Sequence, residues 1–578
     1  MKRIFPLLLC LCLLCGCSDI NSETTELPDD QSSITTPQTP IIEHESKFTG
    51  ETVITLSDDS ITWSGEGSVS LSHDIIYYED RDQYESGRAY GDGSGTDRHS
   101  ADEAVAHTVV NITAPGTYRI TGTLSAGQIR VDLGEDAKCD PGAVVELILD
   151  NADITCTVAP AILFLHVYEC DGDRTEENAT PYVDTADAGA VIILAEGSKN
   201  RINGSYVAKI YKDADGQKKL WKQDGALYSY MSLVISGSGT LDLTAENEGL
   251  GSEMHLTING GNINIRSQDD GINTNEDGVS VTTINAGSVH IIAGLGEEGD
   301  GIDSNGYLVI NGGTVVSSAH PAADAGLDSD LGSYANGGTV IALGSTMDWA
   351  ESNSQQVTIN LQFASYQDSN SAIVITRTDG GIIFAYDPCE DEVLGNNTRK
   401  YQGAVISTPN LQIGENYHIY VGGKVSGSEV GGVYLTETIT GYADGVQQMY
   451  TGNDVGMMFP GGNFPGQFPD DFTPPGGNTE PPENGQFPGG GEPPQGGGFT
   501  PPDGDAQIPE NGQFPGGGEP PQNGGFTPPD GDAQIPEYGQ FPGNQTESQT
   551  GSTLFFMNDT VNAFSGVTAY VPADGEEK

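Results

Sequence analysis

The sequence predicts an all-β chain built on stacked coils, and three observations carry that prediction: a strand-and-glycine-turn unit recurring every 25 or 26 residues, the absence of a helical hydrophobic period, and columns of like residues when the units are aligned. Five segments open the units: Leu233-Val-Ile-Ser-Gly, Leu256-Thr-Ile-Asn-Gly, Thr282-Thr-Ile-Asn-Ala, Leu308-Val-Ile-Asn-Gly and the shortened Ala335-Asn-Gly-Gly-Thr-Val. Their turn glycines Gly261, Gly287, Gly313 and Gly338 lie 26, 26 and 25 residues apart. Leucine-rich repeats share this period, but the L-x-x-L-x-L frame is missing and β-branched residues alternate with small polar ones, as strands require. A parallel β-helix follows, in which stacking buries an apolar column that no single coil could bury. The Ile of each Val-Ile-Asn or Thr-Ile-Asn is expected to point inward. Asn259, Asn285 and Asn311 are expected to stack at the bend as an internal amide ladder.

Along the chain, Met1-Lys2-Arg3 and the apolar run Ile4–Leu14 read as an export signal, too short to span a bilayer. The run ends in Leu14-Cys15-Gly16-Cys17, a bacterial lipobox that would make Cys17 the lipid-bearing first residue of an extracytoplasmic, membrane-anchored protein at the cell surface. A plain secretory signal with incidental cysteines is the alternative. Residues 18–55, rich in Ser, Thr, Pro, Asp and Glu, read as a disordered spacer. The β-helix is assigned to 56–345, its first coils at Ile112–Leu124, Val144–Ile154 and Ala190–Ser198, with polar loops near 169–188 and 206–224. From 346 to 458, longer strands with turns such as Thr378-Asp-Gly-Gly and Val421-Gly-Gly-Lys predict a small β domain. Residues 459–548 are a Pro/Gly-rich insertion in which Asn484–Glu510 recurs as Asn511–Glu537, and 549–578 supply closing strands and a tail.

With 23 basic against 83 acidic residues, the formal charge of −60 excludes nucleic-acid phosphate and anionic lipid surfaces as partners. Cys139, Cys156, Cys170 and Cys389 have no C-x-x-C spacing, which excludes the common zinc frameworks and leaves both a disulfide among the first three and buried free thiols open.

Aligning the coils on Glu248-Gly-Leu-Gly-Ser, Asp270-Gly-Ile-Asn-Thr, Asp300-Gly-Ile-Asp-Ser and Ala325-Gly-Leu-Asp-Ser yields uniform columns. Leu250, Ile272, Ile302 and Leu327 make an apolar stack, and Ser252, Thr274, Ser304 and Ser329 a hydroxyl stack. Asn273, Asp303 and Asp328 make an acidic or amide stack, with Asp269, Asp270, Asp300 and Asp324 at the neighbouring bend. Carboxylates in register on strands about 4.8 Å apart repel by roughly 1–4 kcal/mol per pair. A divalent cation would offset this, and flexible oxygen ligands suit Ca²⁺. The competing reading is that Asp-Gly only makes turns. The nonapeptide calcium repeat of secreted toxins does not fit, because its nine-residue frame is absent.

No histidine has a metal-ligand spacing or an adjacent nucleophile, so no catalytic residue is assigned. A lyase acting on uronic-acid polymers would need a basic residue at the acidic groove, and Arg266 is the only Lys or Arg from 233 to 345. For sugar stacking the candidates are Trp221, Tyr228 and Tyr230, with Tyr307, Tyr334 and Trp349 also in or beside the repeat.

The blocks Ile112–Leu124, Val145–Ile154, Ile192–Asn200 and Ala226-Leu-Tyr-Ser, together with the Asp-Gly-Ile coils, resemble the clostridial carbohydrate-binding lipoproteins, whose β-helix looks like that of pectate lyases; the likeness spans roughly 60–450. The resemblance implies a right-handed β-helix, calcium held at the Asp-Gly turns, and non-catalytic binding of cellulose or a pectate-like acidic polysaccharide. Carried over by residue, the calcium set is Asp270, Asn273, Asp300, Asp303, Asp324, Asp328 and Asp330, and Asp269 at the adjoining bend joins it. The chain departs from the pattern at Gly249-Leu-Gly-Ser, which lacks the aspartate, and at Ala325, which stands where Asp300 stands one coil earlier. The alternatives are a polysaccharide lyase and a structural cell-wall protein.

Overall fold

A computed structural model describes residues 41–42, 44–77, 99–211, 219–322, 324–345, 348–368, 371–388, 400–452 and 551–572, the side chains of 208–222 excepted. The expected signal and lipobox, the spacer as far as residue 40, and the Pro/Gly-rich insertion lie outside the described residues. About half of the described residues are in strands, and their one α-helix is Ala101–Val105. Among the described residues no helix is long and apolar enough to cross a membrane.

The strands stack in three ladders that successive repeats enter in the same order. Ladder one runs through Gly225–Ser229, Glu248–Ser252, Ile272–Thr274, Ile302–Ser304 and Leu327–Ser329, all parallel. Ladder two runs through Leu233–Gly237, Leu256–Ile258, Val281–Ile284, Tyr307–Ile310 and Gly332–Ala335. Ladder three runs through Thr240–Ala245, Asn262–Ser267, Ser288–Ile292, Thr314–Ser318 and Thr339–Gly344. The less regular upstream segments join the same ladders: Gly116–Leu124, Val145–Thr155 and Ala190–Leu194 pair in parallel below Leu233–Gly237.

Burial explains why these sequences stack. Ile258, Ile284 and Ile310 form an inward row at most 2 % exposed, and each such side chain contributes about 1.5–3 kcal/mol when withdrawn from water. The turn glycines Gly261, Gly287, Gly313 and Gly338 all take φ between +79° and +89°, a conformation that disfavours side chains. A Cβ on Gly287 would also stand 2.6 Å from the Gly261 carbonyl oxygen. The asparagines beside these turns form the expected ladder and extend it by one: Asn285 donates to Asn259, Asn311 to Asn285 and Asn336 to Asn311, at 2.9, 2.8 and 3.0 Å. The ladder is not internal, however. Its members are half-buried or exposed, because the bend turns them to the rim while the preceding Ile fills the core.

The spacer reading fails for its last part. His44 Nε2 lies 3.0 Å from Glu146 Oε1, and Glu146 also accepts from Ser46 Oγ, Thr117 Oγ1 and the Lys47 amide. Thr52–Leu56 then joins ladder two beside Gly116–Leu124. Burial alone would raise the Glu146 carboxyl, but these hydrogen bonds outweigh it and bring it down to about 2. A polar composition identified a spacer here because nothing local marks a segment whose partners lie about 100 residues away.

Past Ser345 the ladders give way to antiparallel pairing. Thr339–Gly344 pairs with Tyr401–Ser407, which also pairs with Thr358–Gln367. Val561–Ala569 lies parallel to Thr358–Gln367, and Phe555–Phe556 pairs with Asn416–Val421. Ile341, Leu343, Ile359, Phe363, Tyr401 and Phe555 share one core cluster. Cys139, Cys156 and Cys170 are free thiols, and burial pushes Cys156 and Cys170 up to about 12.

Candidate functional site

The columns predicted from sequence are in register on ladder one. Leu250, Ile272, Ile302 and Leu327 pair in succession, as do Ser252, Thr274, Ser304 and Ser329, and as do Gly251, Asn273, Asp303 and Asp328. The first set lies in the core, so strand alternation turns the Asn/Asp set to the opposite face. Just before each strand the chain bends at Asp-Gly or Ala-Gly. The glycine is required by packing: a Cβ on Gly271 would stand 2.2 Å from Ile291 Cγ2 and 2.5 Å from the Gly301 carbonyl.

At the bends Asp270 and Asp300 each reach to the next repeat, and Asp324 reaches back to the one before. The Asp300 amide donates to Asp270 Oδ1 at 2.7 Å, the Ala325 amide to Asp300 Oδ1 at 2.5 Å, and the Gly299 amide to Asp324 Oδ2 at 3.2 Å. The Asp-Gly turn is therefore structural as well as acidic. These bonds occupy one oxygen of each carboxylate, and the other oxygen of Asp270 accepts from Asn273 Nδ2.

Around Asn273 the row closes up. Its Nδ2 lies 3.2 Å from Glu248 Oε1, 3.0 Å from Asp270 Oδ2 and 3.5 Å from Asp303 Oδ2. Its Oδ1 is buried and has no hydrogen-bond partner. Further along, Asp348 accepts from the Ser329 amide at 2.9 Å and the Ser329 hydroxyl at 3.2 Å. Burial, then the neighbouring Asp270, pushes the Asp300 carboxyl up to about 9. Burial and Asp269 take Asp270 to about 7, and burial and Asp328 take Asp348 to about 7. Asp330 is also raised, by burial first and then by Asp328 and Asp277. A row of acceptors in this state needs protons or a cation.

Among the described residues no three His, Cys, Asp or Glu side chains stand together as a metal-holding group. The donor set is instead three carboxylates gathered on one amide. Turning that amide would place its oxygen where its nitrogen stands, and carboxylate and amide oxygens at adaptable spacing are the chemistry of Ca²⁺. Glu248, Asp270, Asn273 and Asp303 are thus the residues of this row whose oxygens are of the type that ion takes.

The structure brings Asp270, Asn273 and Asp303 together, places Asp300 and Asp328 further along the row, and sets Asp269 and Asp324 at its flank. Asp324 stands 3.5 Å from His320. Asp330 is exposed just past the end of the strand Leu327–Ser329. Glu248 and Asp348 were not in the predicted set. Glu248 occupies the column of Asp270 and was passed over because an aspartate was expected there; Asp348 lies beyond the repeat, where no alignment reaches. Arg266 stands on ladder three, between Thr244 and Ile292 in register, and not on the ladder of the carboxylate row.

The stacking candidates separate. Tyr228 is fully buried. Its hydroxyl donates to Glu253, and Tyr230 meets its ring edge-on at 5.5 Å. As the register partner of Gly251 it lies covered on the face of the carboxylate row and offers no sugar a face; its alternating position in Ala226-Leu-Tyr-Ser did not distinguish a covered tyrosine from an exposed one. The Trp221 side chain lies outside the described residues. Tyr307 and Tyr334 are half-buried neighbours, and Trp349 is exposed.

The family model of carbohydrate-binding domain-containing proteins matches residues 106–172 and 173–355. A carbohydrate-binding domain-containing protein of Acetivibrio thermocellus is similar at 30% identity over 165 residues, which cover 28% of this chain and 47% of the relative. The chain thus spans about half the length of the curated relative it matches. No solved structure matches it.

Proposed function

We propose that this chain binds a polysaccharide without cleaving it, through a right-handed parallel β-helix that calcium stabilises. The observation that carries the reading is the coincidence of two spans: the carbohydrate-binding family model matches 106–355, and the same residues hold the in-register ladders and the carboxylate row. The fixed order in which repeats enter three parallel ladders supports the β-helix, and the right-handed crossover preference of parallel strands supports its hand. Glu248, Asp270, Asn273 and Asp303 would hold one ion, with Asp300, Asp328 and Asp348 continuing the row and Asp269, Asp324 and Asp330 beside it. Bound calcium would supply positive charge where carboxylates face one another. The chain's own part is to fix those carboxylates on short strands and to hold the bends through backbone amides. The placement of Arg266 on another ladder supports binding over a lyase. The leader and Cys17 support export and a lipid anchor, with the body displayed at the cell surface.

The test is affinity electrophoresis of the full chain in gels containing polygalacturonate or a soluble cellulose derivative, with calcium or chelator, while the ultraviolet absorbance of an unsaturated product is followed. Retardation without product supports the proposal. Product formation would make the chain a lyase, and neither retardation nor product would favour a structural wall protein.

A further inference from the structure

Away from the carboxylate row, the outer face of the last repeats carries three aromatic side chains. Tyr307 and Tyr334 lie on adjacent strands of ladder two, where Tyr307 is the register partner of Gly332 and Val309 that of Tyr334. Their ring centroids are 6.2 Å apart at an interplanar angle of 53°. A parallel bridge between Ser333 and Ala350 brings the following segment onto this edge, and the Glu351 amide donates to the Ser333 carbonyl at 2.7 Å. Period-two alternation then sets Trp349 and Glu351 on the face of Gly332 and Tyr334. Trp349 is 38% exposed. The Glu351 side chain lies over the bare backbone of Gly332, where a Cβ would come within 2.9 Å of its Cγ and Oε1.

Aromatic rings beside a carboxylate suit a sugar ring: the CH face packs on the ring, and the hydroxyls donate to the carboxylate oxygens. Charge selects the kind of sugar. No Lys or Arg occurs from 267 to 376, and the chain carries a formal −60, so a uronate polymer would be repelled at this face unless a cation intervened. We propose that Tyr307, Tyr334 and Trp349, with Glu351, form a stacking platform for an uncharged hexose polymer, and that this platform works without a cation. The proposal rests on the polysaccharide-binding reading and deepens it by giving neutral glycan a place separate from the carboxylate row.

The experiment is affinity electrophoresis of the full chain and of Trp349→Ala and Tyr334→Ala variants in gels containing hydroxyethyl cellulose or polygalacturonate, each with calcium or chelator. Circular dichroism and thermal unfolding of each variant confirm its fold, and Tyr334→Phe, which keeps the ring, is run alongside. The expected result is retardation of the parent chain by hydroxyethyl cellulose that chelator leaves unchanged and that each alanine variant weakens about tenfold or more, while Tyr334→Phe retains most of it. Retardation by hydroxyethyl cellulose that survives both alanine changes would overturn the platform yet leave polysaccharide binding intact. Retardation by polygalacturonate alone would do the same. A parent chain that neither polymer retards would overturn the platform and the function together.

Discussion

Two side-chain ladders in this molecule share one backbone repeat and differ in chemistry. On the rim, Asn259, Asn285, Asn311 and Asn336 stack one per repeat, each amide donating to the one before it, and the last oxygen accepts from the Gln355 amide at 3.2 Å. On ladder one, Asn273, Asp303 and Asp328 stack at the same interval with Glu248, Asp270, Asp300 and Asp348 around them. An amide carries both donor and acceptor, so a column of amides satisfies itself. A column of carboxylates has acceptors only and must take its positive partners from elsewhere. The first column needs only its neighbours; the second is incomplete without protons or an added cation, and incompleteness of this kind makes a ladder a binding site.

The largest expected effect follows from removing calcium. In chelator, Asp300, Asp270 and Asp348 have folded-state values near 9, 7 and 7, above the unfolded value of about 3.9. The folded chain then holds extra protons, and the stabilisation they give is complete below about pH 4 and is lost as pH rises through 7 and then 9. Thermal unfolding in chelator should show a melting temperature that falls from pH 5 to pH 9. Calcium should restore it most at the alkaline end, by about 2.7 kcal/mol at a hundredfold excess over Kd. A flat profile with no calcium response would reduce the row to turn chemistry.

Converting one ladder toward the other sharpens the contrast. Asn285→Asp puts a carboxylate between two amides, removes the donor to Asn259 and should cost about 1–3 kcal/mol at pH 7, with recovery at acid pH where the new carboxyl regains a proton. Denaturant titration at the two pH values checks this. In the reverse direction, Asp300→Asn keeps an oxygen for the Ala325 amide and stays neutral without taking up the proton that the buried Asp300 carboxyl needs. The variant in chelator at pH 8 should match or exceed the parent by about 1 kcal/mol, and its gain on adding calcium should shrink; a large loss in chelator would show that the carboxylate itself holds the bend. The smallest effect is expected at Tyr228→Phe, which deletes the hydroxyl bonded to Glu253. It should cost about 1 kcal/mol and leave retardation in glycan gels unchanged, whereas weakened retardation would restore Tyr228 as a contact.

Much of this was legible in the sequence because a repeat reports on itself. Aligning Asp270-Gly-Ile-Asn-Thr with Asp300-Gly-Ile-Asp-Ser identified which residues would be neighbours across strands, and the register of Ile272 with Ile302 and Asn273 with Asp303 agrees. What a repeat does not encode is which face of a bend meets solvent, so the asparagine ladder was expected inside and stands at the rim. Contacts made by chain outside the repeat were hidden for a different reason. The Asp348 bond to Ser329 and the His44 contact with Glu146 depend on segments with no periodicity, brought back by a fold that no local pattern announces. Tyrosine was the least readable residue: Tyr228 and Tyr334 both sit on short strands, one buried and one at the surface.

The account turns on whether the carboxylate row is a cation site, and the most direct measurement is calorimetric titration of calcium into the chelator-stripped full chain and into an Asp270→Asn, Asp303→Asn double variant at pH 7.5. Saturable binding by the parent chain, weakened tenfold or more in the double variant, is the predicted result; no binding by the parent, or equal binding by both, would contradict it.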